Sequence, residues 1–162
     1  MHMNLTEIGQ RIRDRREELG LSQDRLAKLG GLSRVTINQL ETGAIGDLGV
    51  AKLLNLLGLL GLKLDTQPRP AQSHALRMAS RTASVSYKRE LLSSELAHAL
   101  AGGVLPIAIA PHVATLLDEA PLKIIVSAVE EAAQQEHVAP KAIWRHVVRW
   151  AHELQSPRKV WS

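Results

Sequence analysis

Three side chains between residues 34 and 39 can form paired hydrogen bonds with flat ligands. Arg34 carries a guanidinium group, and Asn38 and Gln39 carry carboxamides. A guanidinium matches the two acceptors on the edge of guanine, and a carboxamide matches the donor and acceptor of adenine. Val35 adds methyl groups that can touch the methyl group of thymine. A helix places these four positions on one side, so this side has the chemistry that contact with DNA bases requires.

Positioning such a row of side chains requires a short helix held against a second one. Ser22 is a suitable cap for a helix from Gln23 to Leu29, and Ser33 is a suitable cap for a helix that ends near Glu41. Glycines between them permit the turn. A preceding helix over Leu5 to Leu19 and a fourth helix beginning at Asp47 or Leu48 complete the predicted unit.

Apolar residues in and between the second and third helices have the sizes that a fixed crossing angle needs. Ala27 is small enough to let the two helices approach. We expect it to pack between them together with Leu26, Leu32, Ile37 and Leu40 and so to fix their crossing angle. Over residues 4–65 the chain resembles the Cro and phage-repressor helix-turn-helix proteins, also called the Xre family. The resemblance is carried by Gly20-Leu21-Ser22-Gln23, Leu26-Ala27, Gly31-Leu32-Ser33-Arg34-Val35-Thr36-Ile37 and Leu40-Glu41-Thr42-Gly43.

The resemblance implies a protein that binds double-stranded DNA, with the third helix in the major groove. It implies that Gln23 anchors the DNA backbone, and Ser33 and Thr36 lie at helix starts or rims that can hold phosphates. It further implies a homodimeric autorepressor of a palindromic operator. Arg13 and Arg16 are additional phosphate candidates, although we favour an exposed charged face paired with Asp14, Glu17 and Glu18.

Leucines alternate with polar or small residues after the fourth helix. Leu60, Leu62 and Leu64 have the period of a half-buried strand, and a lone strand needs a partner such as a second subunit. Together with Ala44-Ile45-Gly46-Asp47-Leu48 and Lys52-Leu53-Leu54, this stretch resembles the HipB-type antitoxin branch. In that branch the strand pairs across a dimer, and the antitoxin represses its operon and binds a toxin. Those small antitoxins end near the strand, whereas this chain continues for about a hundred residues.

The excess positive charge of the chain, formally +4, is concentrated in its middle. Residues 66–90 contain a single acid, Glu90, against Arg69, Arg77, Arg81, Lys88 and Arg89. Two prolines and weak apolar periodicity predict a flexible linker over 66–86 that separates a domain over 1–65 from one over 87–162. This basic linker is either a solvated connector or an arm that contacts phosphates or the minor groove.

Residues 87–162 have helical periodicity, so the predicted fold class of the whole chain is all-α apart from the short strand. We expect helices over Tyr87 to Leu100, from Pro111 to Leu117, over Leu122 to Gln135 and over Lys141 to Gln155. Trp144 and Trp150 are expected in the core or a dimer contact, and Trp161 there or as an anchor for a partner. This unit is predicted to oligomerise or to bind a toxin protein; a small-molecule sensor is a third hypothesis.

Several classes of function are not supported by the residues. The chain has no Cys, and His98, His112, His137, His146 and His152 lack the spacing of metal ligands, so we expect no metal and no other cofactor. No nucleophile elbow or glycine-rich phosphate loop is present, and we expect no catalytic residues and no enzymatic activity. Without a signal peptide or an apolar run long enough for a membrane span, the protein is expected in the cytoplasm.

Overall fold

The computed structural model describes residues 4–68 and 74–162, which form two compact units, Met1–Gln67 and Pro68–Ser162. Every regular element in the described ranges is helical, which confirms the all-α prediction. The first unit contains α1 Leu5–Glu18, α2 Gln23–Gly30, α3 Arg34–Thr42 and α4 Val50–Leu59. The second contains α5 Ala75–Ser84, α6 Ser93–Gly102, α7 Ala110–Glu119, α8 Leu122–Gln135, α9 Pro140–Glu153 and a final 3₁₀ turn, Lys159–Trp161.

The core of the first unit is built from one apolar stripe of each helix. Its buried members are Ile12, Leu26, Ala27, Ile37, Leu40, Leu53, Leu56, Leu57 and Leu60. Burial of a side chain such as Leu or Ile stabilises the fold by about 1.5–3 kcal/mol. Gly9 lies where α1 crosses the end of α3, and a β-carbon there would collide with the backbone carbonyl of Leu40. Close packing of α1 against α3 therefore depends on the absence of a side chain at residue 9.

The predicted dimer-pairing strand is not seen within residues 4–68 and 74–162, where every regular element is helical. Leu60 follows the last turn of α4 and is buried inside its own unit. Gly61 adopts a φ of +66° and turns the chain, so that the amide of Leu62 donates to the carbonyl of Leu57 at 2.8 Å. Leu62 and Leu64 are half-buried against the same core. The alternation of leucines thus arises from a chain segment that lies along its own unit.

The prediction of a flexible linker over 66–86 is wrong over Ala75–Ser84, because these residues form α5. Leu76, Ala79 and Ala83 are buried in the core of the second unit. The backbone amide of Leu76 donates to the Glu131 carboxylate of α8 at 2.7 Å, which satisfies a donor in the first turn of α5. Arg69, part of the same predicted linker, lies outside the described residues. The basic residues from Arg77 onward therefore belong to a packed unit.

The other helices of the second unit follow the predicted pattern with small shifts. α8 has the predicted bounds, whereas α6 begins at Ser93 rather than near Tyr87. Trp150 is buried in the core. Trp161 is buried too, with its indole Nε1 donating to the carbonyl of Leu117 at 3.2 Å, so it is no exposed anchor. In the described part of the chain, no helix is long and apolar enough to cross a membrane.

Candidate nucleic-acid interface

The turn between α2 and α3 sets the direction in which α3 projects. Gly31 ends α2 in the left-handed conformation with a φ of 63°, which glycine adopts without strain. Leu32 then donates its amide to the carbonyl of Ala27 at 2.9 Å, and Ser33 caps α3. Since Ala27 is buried between the helices, α2 and α3 are held by both packing and hydrogen bonds.

The outer side of α3 exposes all four side chains that were predicted to contact bases. Arg34, Val35, Asn38 and Gln39 are exposed, and Val35 retains 64% of its accessible surface. Ile37, on the opposite side of the helix, is completely buried. An exposed valine beside a guanidinium and two carboxamides gives this face both apolar and paired hydrogen-bonding groups. We call these four residues the α3 reading face.

The three predicted phosphate-binding residues lie at the N-terminal ends of α2 and α3. Ser33 Oγ accepts the backbone amide of Thr36 at 3.0 Å and lies 2.8 Å from Thr36 Oγ1. Gln23 is the first residue of α2, and its Nε2 donates to the Glu41 carboxylate at 3.0 Å. These contacts fix the side chains at helix termini, where backbone amides favour anions. Their contact with phosphate stays a prediction.

Cations lie along α2 and at the start of α3. Lys28 Nζ lies 2.9 Å from the Asp24 carboxylate. The pKa of Asp24 is lowered by this hydrogen bond first, and the positive charges of Arg34 and Arg25 lower it further. Asp24 is therefore a single carboxylate near three cations, Arg25, Lys28 and Arg34.

A buried ion pair between α1 and α3 is the residue pair that sequence reasoning missed. Arg16 Nε donates to Glu41 Oε1 at 2.6 Å, and Nη2 donates to Oε2 at 2.9 Å. The two side chains are only 9% and 2% exposed. Arg16 Nη1 also donates to the carbonyl of Leu21 at 2.8 Å. This geometry fixes α1, the loop before α2 and the end of α3 relative to one another.

Each partner of this pair shifts the titration of the other. The hydrogen bond with Glu41 raises the pKa of Arg16, against the opposing effect of its own burial. Burial alone would raise the pKa of Glu41, but hydrogen bonds from Arg16 and Gln23 outweigh it and the net pKa is lowered. Both groups are therefore charged at neutral pH.

The favoured interpretation of Arg16 as part of an exposed charged face was wrong. Its neighbour Arg13 does fit that interpretation, with Nε 3.1 Å from the exposed Glu17 carboxylate. Arg16 points inward instead, because the fold brings Glu41 to it from 25 positions away in sequence. The separation along the chain hid the partner, although an arginine on the apolar side of the helix with Ile12 was a usable signal.

Two histidine side chains of the second unit form hydrogen bonds with backbone carbonyls. His146 Nδ1 lies 2.8 Å from the carbonyl of Leu100, and His112 Nε2 lies 2.8 Å from that of Arg89. Within residues 4–68 and 74–162, no group of three or more His, Asp or Glu side chains is arranged to hold a metal ion.

Comparison with protein families agrees with the arrangement of α2 and α3. The sequence over residues 12–67 matches a family model described as helix-turn-helix. Over these residues the chain is similar to helix-turn-helix domains. The match supports the resemblance to the Xre family and indicates a DNA-binding transcriptional regulator. It covers the helix-turn-helix unit and leaves the second unit unassigned. No curated protein and no solved structure matches the chain.

Proposed function

We propose that the protein is a homodimeric, sequence-specific repressor that reads a palindromic operator with the α3 reading face. The observation that carries the proposal is the exposure of Arg34, Val35, Asn38 and Gln39 on one side of a helix whose other side is locked into a core. A rigid helix presents its side chains to bases at low entropic cost. The proposed role is binding without catalysis.

Each residue of the reading face has a distinct proposed contact. Arg34, at the first turn of α3, donates two hydrogen bonds to guanine, and Asn38 and Gln39 pair with adenine. Val35 packs against a thymine methyl group. Gln23, Ser33 and Thr36 place the helix starts against phosphates, which sets the register without reading sequence.

The dimer is proposed to form through α4 rather than through a strand. Val50, Ala51, Leu54 and Gly58 are exposed on one side of α4, and we call them the α4 stripe. Val50 and Leu54 retain 67% and 48% of their accessible surface, and the stripe contains no charge. Small residues beside Val50 and Leu54 allow a second helix to approach closely. A second copy on this stripe would give the two-fold symmetry that a palindrome requires.

The proposal is tested with DNA selected by the full-length protein from a random duplex library. Fluorescence anisotropy then compares the wild type with Arg34→Ala/Gln39→Ala on the selected duplex. We expect discrimination between the selected and a scrambled duplex to fall by at least tenfold, since each paired base contact contributes about 1–3 kcal/mol. Arg13→Ala/Glu17→Ala, which removes an exposed pair on α1, is the matched control.

Two results would contradict the proposal. Unchanged discrimination by Arg34→Ala/Gln39→Ala would remove α3 from base recognition. A library that yields no enriched sequence would remove sequence-specific binding by this protein altogether.

A second candidate function, that of an antitoxin in a HipBA-like system, is favoured by one surface of the second unit. Trp144 and Val148 of α9 line an open groove of about 450 Å³ together with Lys141, Arg145, Arg149 and His152. A partly exposed Trp with a Val and flanking cations suits an acidic, amphipathic segment of a protein partner. In this candidate function the groove captures the toxin.

Co-expression with the product of the neighbouring gene tests this second function. The antitoxin hypothesis predicts a stable complex that Val148→Asp disrupts. Val126→Asp is the matched control, because Val126 is also exposed but lies on α8. Purification of the homodimer alone would contradict the hypothesis.

A further inference from the structure

One side of α5 presents positive charge from a fixed helix. Arg77 and Arg81 are one helical turn apart and exposed. Arg81 also lines an open cleft of about 490 Å³ with Lys88, which lies beyond the helix. No acidic residue occurs within Ala75–Ser84. We call Arg77, Arg81 and Lys88 the α5 basic face.

Some other cations in the described part of the chain are paired with carboxylates, whereas those of this face are not. Arg13, Arg15, Lys28 and Arg149 each have a carboxylate partner three or four positions away. Arg89, next to the α5 basic face, is held by Glu95 at 2.6 Å. Among the described residues, Arg77, Arg81 and Lys88 form no salt bridge, although Glu90 lines the same cleft as Lys88. Their charge is available to an external anion.

The face is held in place by contacts at both ends. At its start, Glu131 accepts the amide of Leu76, and beyond its end the Tyr87 hydroxyl lies 3.0 Å from the carbonyl of Pro111 and from Thr115 Oγ1. The apolar side of α5 is buried. The conformational entropy of the α5 backbone is therefore already lost on folding. When a ligand binds, only the ends of the long side chains lose further entropy.

We propose that the α5 basic face binds the sugar-phosphate backbone of DNA beside the site that α3 reads. This inference rests on the proposed function, and it adds a second DNA-contacting surface in the unit that no family match covers. The same chain carries the helix-turn-helix domain, so DNA bound by α3 raises the local phosphate concentration at α5.

The composition of the face favours a polyanion over a protein partner. Guanidinium and ammonium groups suit phosphate oxygens, and the face has no carboxamide with which to read a base. The α9 groove has cations too, but there Trp144 and Val148 lie among them and Glu153 lies 3.6 Å from Arg149. The two surfaces are thus assigned to different partners.

Salt dependence of binding provides the readout, because each neutralised phosphate releases counterions. The logarithm of the association constant falls with the logarithm of salt concentration by about 0.9 per phosphate contact. Full-length Arg77→Gln/Arg81→Gln should therefore bind the selected duplex with a slope that is less steep by about 1–2 per protomer. The affinity should fall to a similar extent for the selected duplex and for a scrambled one, since phosphates carry no sequence.

Matched variants isolate the charge effect. Lys141→Gln/Arg145→Gln removes two exposed cations from α9 of the same unit and should leave the slope unchanged. Arg77→Lys/Arg81→Lys keeps the charge and should retain a steep slope. Because Arg77 and Arg81 are exposed, all variants should melt at the wild-type temperature.

The location of the contact is tested with shorter DNA. Trimming the duplex to the selected site alone should flatten the wild-type slope and abolish the difference between the wild type and Arg77→Gln/Arg81→Gln. A difference that persists on the trimmed duplex would contradict binding beside the site.

Three further outcomes would overturn the inference. The first is an unchanged salt slope for Arg77→Gln/Arg81→Gln. The second is an equal flattening of the slope by Lys141→Gln/Arg145→Gln. The third is a weakening by Arg77→Gln/Arg81→Gln that affects binding to anionic lipid vesicles and leaves binding to DNA unchanged. If the wild type binds the selected duplex tightly and only the slope prediction fails, the proposed function stands and the α5 contact does not. If the wild type selects no sequence, the proposed function itself has failed.

Discussion

Arg16→Met should destabilise the first unit far more than the loss of a surface charge does. The substitution keeps an apolar stem but leaves the Glu41 carboxylate, 2% exposed, with Gln23 as its remaining side-chain donor. Removing one partner of a buried ion pair typically costs about 3–5 kcal/mol, against about 0–1 kcal/mol for an exposed pair. Since a domain of this size has about 5–15 kcal/mol of stability, the loss is a large fraction of the total.

Two spectroscopic signals separate the units in this measurement. All three tryptophans, Trp144, Trp150 and Trp161, lie in the second unit, whereas helices of both units contribute to far-ultraviolet circular dichroism. In urea unfolding of full-length Arg16→Met, we expect helical signal to be lost before tryptophan fluorescence changes. A loss of about 1 kcal/mol lowers the melting temperature of a domain of this size by about 4 °C or more. A loss of about 3 kcal/mol should therefore lower the melting temperature of the first unit by about 12 °C or more.

The double variant Arg16→Met/Glu41→Leu is the control that assigns the effect to an unpaired charge. Apolar replacement of both members of a buried pair is often neutral or stabilising, so this variant should recover most of the loss. A loss below about 1 kcal/mol for Arg16→Met would refute the reasoning, because the pair would then behave as if exposed. A double variant as unstable as the sum of its single changes would refute it as well.

Acidification should act through the same pair. The pKa of Glu41 is lowered below its ordinary value of 4.5, so the folded state releases this proton more readily than the unfolded state. The pair's contribution is therefore complete above pH 4.5 and declines as the pH falls through the lowered value. Urea unfolding at a series of acidic pH values should show this component in the wild type and lack it in Arg16→Met/Glu41→Leu.

Three further substitutions address packing, capping and assembly. Gly9→Ala should lower the free energy of unfolding in urea by about 1–3 kcal/mol, because the new methyl group meets the carbonyl of Leu40. Gly102→Ala is the control, because a methyl group there meets open space and should not lower the free energy of unfolding. Ser33→Ala should cost about 1 kcal/mol, since Ser33 caps α3; a neutral result would contradict the capping role. Leu54→Lys should convert a dimer to a monomer in analytical ultracentrifugation, and an equally exposed site off the stripe, Leu19→Lys, should leave the dimer intact.

Local signals predicted the elements whose apolar period and end signals are strong. The bounds of α8 follow from Pro121 and from the branched residues behind it, and the α2–α3 turn follows from Gly31 and Ser33. These features depend on neighbours in sequence. The exposure of the four residues of the reading face was predictable for the same reason, because they lie within six positions of one helix.

Features that depend on distant residues were missed. The core side of α5 is mostly alanine, whose small side chain gives a weak period, and its first turn is stabilised by Glu131, 55 positions away. Arg16 was assigned to the acids beside it because nothing local identifies Glu41 as its partner. The leucines from Leu60 to Leu64 alternate as a strand would, yet the turn at Gly61 returns them to their own core.

A nuclease footprint of the full-length protein on the DNA upstream of its own gene, repeated over a range of salt concentrations, tests the central claim most directly. The account predicts two protected half-sites about one helical turn, ~10 bp, apart, and protection that persists at moderate salt. Diffuse protection that disappears as salt is raised would contradict a sequence-specific dimer that reads DNA through α3.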